Sequence, residues 1–129
     1  MASEDLSAAR AAYDAFDRRD VDALLELLGH NVAWHAPDVL PWGGTRHGHD
    51  GVATYFELLD EHVEDGWGEA DEYLEAGNRV VVLGRLRGRS RATGADFEAR
   101  FVHVWDFHEG VAVTFDSVVD SAVVLAALG

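Results

Sequence analysis

The chain has 129 residues, no cysteine, no lysine, ten arginines against 24 acidic residues, and a formal net charge of −14. That balance excludes nucleic acid and anionic membrane as partners, because phosphate binding needs clustered positive charge. Without thiols there is neither a disulfide framework nor thiol chemistry, and an acidic start with no long apolar run excludes a signal peptide and a membrane span, which places the protein in the cytoplasm.

The length suits one domain, residues 1–129, which buries roughly two-thirds of its unfolded surface without staples. An acidic surface without lysine fits a halophilic habitat, where concentrated ions screen self-repulsion.

Residues 4–18 place Leu6, Ala9, Tyr13 and Phe16 at helical spacing, with Ser3 as N-cap. A second helix is predicted over Val21–Leu28, capped by Asp20 and ended by Gly29. Asn31–Ala36 reads as a strand stopped by Pro37. Residues 38–50 form a loop that carries Trp42 among glycines, together with His47 and His49. Asp50 then caps a third helix with an inward face of Val52, Tyr55, Phe56, Leu59 and Val63.

The remainder is strand-like. Gly68–Glu75 turns at Gly77-Asn78 into Arg79–Arg91, which sets Val80, Val82 and Leu86 on one face and Arg85, Arg87, Arg89 and Arg91 on the other. The arginine row is a cross-strand-paired face or, less simply, an anion site. Phe97–Phe107 alternates so that Phe101, His103 and Trp105 share an apolar face, and the Glu109-Gly110 turn leads into Val111–Val119. Asp120 begins a capped helix or a last extension of the strand, running to Leu128. His103 is the one ionisable group on the aromatic face of its strand, so it is either a satisfied core histidine or part of a pocket.

Trp34-His35-Ala36-Pro37, Pro41-Trp42-Gly43-Gly44-Thr45-Arg46-His47-Gly48 leading to Tyr55-Phe56, Arg91-Ala-Thr-Gly94 ahead of Phe101-Val-His-Val-Trp105, and Gly110 followed by Phe115 and Asp120 together resemble the SnoaL-like, polyketide cyclase-like branch of the nuclear transport factor 2-like superfamily. The resemblance implies an α+β fold: a cone-shaped, cystatin-like α+β barrel whose curved antiparallel sheet wraps the N-terminal helices, commonly dimerised through the sheet. It also implies a pocket lined here by Tyr13, Phe16, Trp34, Trp42, Tyr55, Leu59, Phe101, Trp105, Phe115 and Ser117, with His103 as a catalytic candidate; Asp120, a helix N-cap or else a carboxylate at the cone's rim, is the second candidate.

The resemblance weakens at the chemistry. The cyclases' acid falls at Ser117, with Asp116 one residue short and facing away; the ketosteroid isomerases' base falls at Ala36, and their protonated acid falls near His103. His47 and His49 do not make a metal site, since Glu57 lies eight residues beyond His49 within a helix. No metal and no cofactor is expected. Two functions remain: a cofactor-free cyclase or isomerase moving a proton on a polyketide- or steroid-like carbonyl compound, and a non-catalytic homodimer that binds a small hydrophobic molecule.

Overall fold

A computed structural model describes residues 3–129. Helix α1 (Glu4–Arg18) starts at Ser3, whose hydroxyl accepts the Leu6 amide at 3.0 Å, and ends where Arg19 turns left-handed at φ 55°. Its stripe of Ala8, Ala9, Ala12, Tyr13, Ala15 and Phe16 is buried.

Helix α2 (Val21–Leu25) is capped by Asp20 as expected but is shorter than the sequence suggested. Leu28 opens strand β1 (Leu28–Ala36) instead of closing the helix, because pairing with Ala112 buries it. Part of the expected loop is also a strand, β2 (Gly44–His47), which pairs antiparallel with β1. Helix α3 (Gly48–His62) therefore starts two residues before Asp50. Its N-cap position is His47, without a side-chain bond, and Asp50 lies in the first turn, where its charge complements the helix dipole. Val63 belongs not to the helix but to β3 (Val63–Glu64), which pairs with Ser90 and Arg89.

Strands β4 (Gly68–Ala76), β5 (Arg79–Ser90), β6 (Asp96–His108) and β7 (Val111–Val119) form the expected antiparallel run, closed by α4 (Ser121–Leu128). The sheet runs β2-β1-β7-β6-β5-β3, with β4 also paired to β5. The β1–β7 pairing is parallel, so the sheet is mixed and not purely antiparallel. The β6–β7 turn has both Glu109 and Gly110 at positive φ, 52° and 76°, the backbone that a two-residue hairpin requires.

Period 2 sorts the long strands into two faces. Phe97, Ala99, Phe101, His103, Trp105 and Phe107 of β6 are buried toward the helices. On the outer face, Arg79 pairs with Asp106, Arg85 with Asp71 and Glu98, Arg87 with Glu69 and Glu98, and Arg89 with Asp96. The arginine row is thus a cross-strand-paired face, and its ions have carboxylate partners.

Candidate functional site

The curled sheet and helices α1 and α3 enclose an aromatic interior. Trp34 of β1 stacks on Phe115 of β7 with ring centroids 3.9 Å apart, and His103 stacks on Phe101 at 3.6 Å. Cross-strand register sets His103 beside Ser117 and Trp105 beside Phe115. The cavity that remains is lined by Phe16, Trp34, Tyr55, Phe101, His103 and Ser117, among others.

Its far wall is the segment between β1 and β2. Leu40 and Trp42 point inward and are buried, while Val39 just before them is 63% exposed. Two tight turns, Leu40 N–H to Pro37 O at 3.1 Å and Gly43 N–H to Leu40 O at 2.8 Å, make this segment compact. A Cβ at Gly43 would lie 1.8 Å from the Pro37 oxygen, so only glycine permits the fold-back. The cavity between these walls has a volume of only about 20 Å³. That is room for roughly one water, so a larger guest requires the lining side chains to move apart.

Three residues settle the polarity of the site. The Trp105 Nε1–H donates to Tyr13 Oη at 3.0 Å, and Tyr13 Oη lies 2.6 Å from His103 Nδ1. An indole N–H can only donate, so the Tyr13 oxygen accepts it, and its own proton needs an acceptor in a fully buried setting. His103 Nδ1 is that acceptor. The opposite tautomer would leave the phenol proton unpaired at the cost of a buried orphan donor.

Burial pushes the His103 pKa down from 6.5 to about 3, so the ring is neutral. Burial likewise raises the Tyr13 hydroxyl well above its ordinary value, which keeps it protonated. A neutral imidazole that accepts at Nδ1 carries its proton at Nε2. The ring edge away from Tyr13 therefore brings an N–H donor to the cavity, and no carboxylate lines that cavity among the described residues.

Residues 9–115 match the SnoaL-like domain family. The chain belongs to that family. No curated protein matches the sequence. Among solved structures, this SnoaL-like domain is similar to an NTF2-like protein of unknown function from Burkholderia pseudomallei K96243, with 36% identity over 98% of each chain and a TM-score of 0.92. It is also similar to TerC co-crystallised with polyporic acid, with 26% identity over 98% of each chain and a TM-score of 0.90. A protein of ketosteroid isomerase-like fold from Catenulispora acidiphila DSM 44928, in complex with trimethylamine, shares the fold at 16% identity and a TM-score of 0.82, covering 95% of this SnoaL-like domain and 92% of that chain.

Of the residues picked from sequence, Phe16, Trp34, Trp42, Tyr55, Leu59, Phe101, His103, Phe115 and Ser117 line the cavity together. Tyr13 and Trp105 do not: they form the layer behind His103 and act through its Nδ1. Asp120 is also outside. It is exposed and accepts the Val123 amide at 3.4 Å as the N-cap of α4, so it contributes no acid to the cavity. Asp116 is exposed on the opposite face of β7, as its register with Val104 requires. Ala36 and Ser117, two of the positions where the resemblance implied an acidic group, both reach the cavity, without a charge.

His35 bonds Thr45 Oγ1 at 2.8 Å on the other side of β1, and His49 Nε2 bonds the Leu28 carbonyl oxygen at 2.9 Å. Leu40, Leu86 and Val119 also line the cavity, together with Pro37, Phe56, Gly66 and Gly68, none of which the sequence alone assigned to it. Leu86 lay on the inward face of its strand and was findable; Leu40 depended on the path of a loop.

Proposed function

We propose that the protein binds a small, flat, apolar carbonyl compound of polyketide- or steroid-like shape, without a cofactor, and polarises its carbonyl oxygen by donation from His103 Nε2–H. The observation that carries this is the hydrogen-bond chain Trp105→Tyr13→His103, which leaves the imidazole neutral with its free donor toward an aromatic cavity. Such a donor stabilises charge as it develops on an enolate oxygen, the step shared by cyclisations and isomerisations that pass through an enol. His103 is an electrophile in this account and not the base, since Nδ1 is occupied and Nε2 is protonated. The α-proton leaves to a water or to a basic group of the substrate itself.

The test uses 2-acetonaphthone. Its binding should quench tryptophan fluorescence, because Trp34 and Trp42 line the cavity, and its carbonyl stretch should move to lower frequency when bound. In His103→Ala the stretch should return toward its apolar-solvent position. Exchange of the α-protons with deuterated solvent should fall roughly 100-fold. A bound ketone whose carbonyl band ignores the substitution contradicts the proposal.

One observation favours the second reading, a binding protein without chemistry: no lining residue is a carboxylate. Under that reading the ketone binds and its band shifts, but α-proton exchange is no faster than in buffer.

The protein is further proposed to be a homodimer. Val81, Leu83, Val102 and Val104 are only half-buried on the outer face, and Val118 and Leu74 beside them are 58% and 46% exposed, an apolar stretch that a second copy would cover. A monomer by sedimentation at micromolar concentration in high salt would reject this. No helix is long and apolar enough to cross a membrane. A cytoplasmic site fits the cysteine-free composition, and a halophilic habitat fits the net charge of −14.

A further inference from the structure

Two buried side-chain donors have no hydrogen-bond partner among the described residues, Trp34 Nε1 and Arg46 Nε. They are not scattered. Trp34 and Arg46 face each other across the β1–β2 ladder, and directly opposed residues of an antiparallel pair project to the same side of the sheet. That side is the cavity side, since Trp34 is 0% exposed and lines the cavity.

The Arg46 side chain runs back toward the Leu40–Trp42 segment, where Nη2–H donates to the Gly43 carbonyl oxygen at 3.4 Å. Gly51, in the first turn of α3, packs closely on it: a Cβ there would stand 3.1 Å from Arg46 Cβ. Tyr55 one turn further along α3 lies edge-on to Trp34, with ring centroids 5.6 Å apart. Arg46 is thus held between β2, α3 and the segment that closes the cavity.

Its charge is also without a partner. The arginines of β5 pair with carboxylates, and Arg10 and Arg100, which make no ion pair, are exposed, whereas Arg46 is partly buried and makes no ion pair among the described residues. A guanidinium with a buried, unbonded Nε–H is an expensive arrangement to keep for packing alone. Water could satisfy one N–H but would bring no counter-charge. A monoanion with two acceptor oxygens satisfies both donors and the charge together, and a planar carboxylate matches the geometry of a guanidinium edge. The net charge of −14 counts against a more highly charged anion.

We propose that Trp34 Nε1–H and Arg46 Nε–H form a carboxylate-binding pair beside the cavity, and that the natural ligand is an aromatic or polycyclic carbonyl compound bearing one carboxylate. This rests on the reading of the cavity as a carbonyl site, and extends it with a second, charged point of recognition. The carboxylate is bound through β1 and β2, while the carbonyl is bound through β6.

Two probes of equal ring size, 2-naphthoate and the neutral 2-acetonaphthone, separate the contributions when titrated by fluorescence quenching against the wild type, Arg46→Gln, Arg46→Lys and Trp34→Phe. Naphthoate affinity should fall roughly 10-fold or more in Arg46→Gln, fall measurably in Trp34→Phe, and be only partly restored in Arg46→Lys, which keeps the charge without the Nε–H edge. The ketone should change by less than about 3-fold in every one of them except Trp34→Phe, where the wall itself is altered. Circular dichroism melts of the variants check that the fold is intact.

Naphthoate binding that is indifferent to Arg46→Gln overturns the carboxylate pair and leaves the carbonyl site standing. Naphthoate binding that depends on Arg46 while the ketone does not bind at all keeps the pair and overturns the carbonyl reading. Failure of both probes to bind overturns both.

Discussion

The two faces of β5 and β6 solve the problem of polar groups in opposite ways. The outer face carries many charges in contact with water, and the arginines of β5 are paired across strands; Arg89, for example, reaches Asp96 at 2.9 Å with the side chains 56% and 73% exposed. Coulomb energy there is spread thin by solvent, and no single pair matters greatly. The inner face carries one ionisable residue, His103, joined to two other polar atoms in an aromatic interior. With no water to substitute for a lost partner, each bond fixes a proton position and its loss is fully felt. The proposed chemistry draws on the sparse face, while the crowded one pairs its charges across strands.

Breaking the comparison at its strongest point means Tyr13→Phe. This removes one oxygen and strands two buried groups, Trp105 Nε1 and His103 Nδ1, so it should cost roughly 2–4 kcal/mol in a urea melt. His103→Ala comes next, at roughly 1–3 kcal/mol, with tryptophan quenching by bound ketone retained.

Acid sharpens the contrast. Folded His103 titrates near 3 and the unfolded residue near 6.5, so below pH 6.5 the unfolded chain takes up a proton that the folded chain refuses. Stability from this group is therefore intact at pH 7 and declines as pH falls from 6.5 toward 3, with a slope of roughly 1.4 kcal/mol per pH unit. Over pH 6.5 to 5, His103→Asn should flatten that part of the profile; an unchanged slope would mean that burial does not hold the ring neutral.

On the outer face the expected effects are smaller. Molar salt should raise the melting temperature, because relief of repulsion in a −14 chain outweighs the screening of exposed pairs. Arg87→Ala should leave the melting temperature within about 2 °C of the wild type.

What was legible in the sequence tracks how local each signal is. The β6–β7 hairpin and the faces of β5 followed from alternation within a dozen residues, and the helix α1 stripe from spacing of three and four. The end of α2 was misplaced because Leu27 and Leu28 continue an apolar pattern and Gly29 looks like a stop, while the fate of Leu28 is decided by Ala112, more than eighty residues away. Strand β2 is four residues of glycine and polar side chains, with nothing but its partner to make it a strand.

The site behaved likewise. Most of its lining residues were apolar positions on recognisable faces, but the Tyr13–His103 bond spans 90 residues and turns two separately chosen residues into one device. Asp120 was drawn in by its place at the end of β7, where its capping bond to α4 was an equally local and sufficient explanation. The pairing of Trp34 with Arg46 required the β1–β2 register, which no pattern within either segment encodes.

The central claim is that His103 meets the cavity as a neutral donor with its proton on Nε2. Long-range ¹H–¹⁵N correlation of the histidine rings measures this directly, with Tyr13→Phe serving to assign the His103 ring. The predicted result is a protonated Nε2 and a hydrogen-bonded, unprotonated Nδ1, unchanged from pH 7 down to pH 5. A proton on Nδ1, or an imidazolium already present at pH 6, would contradict it.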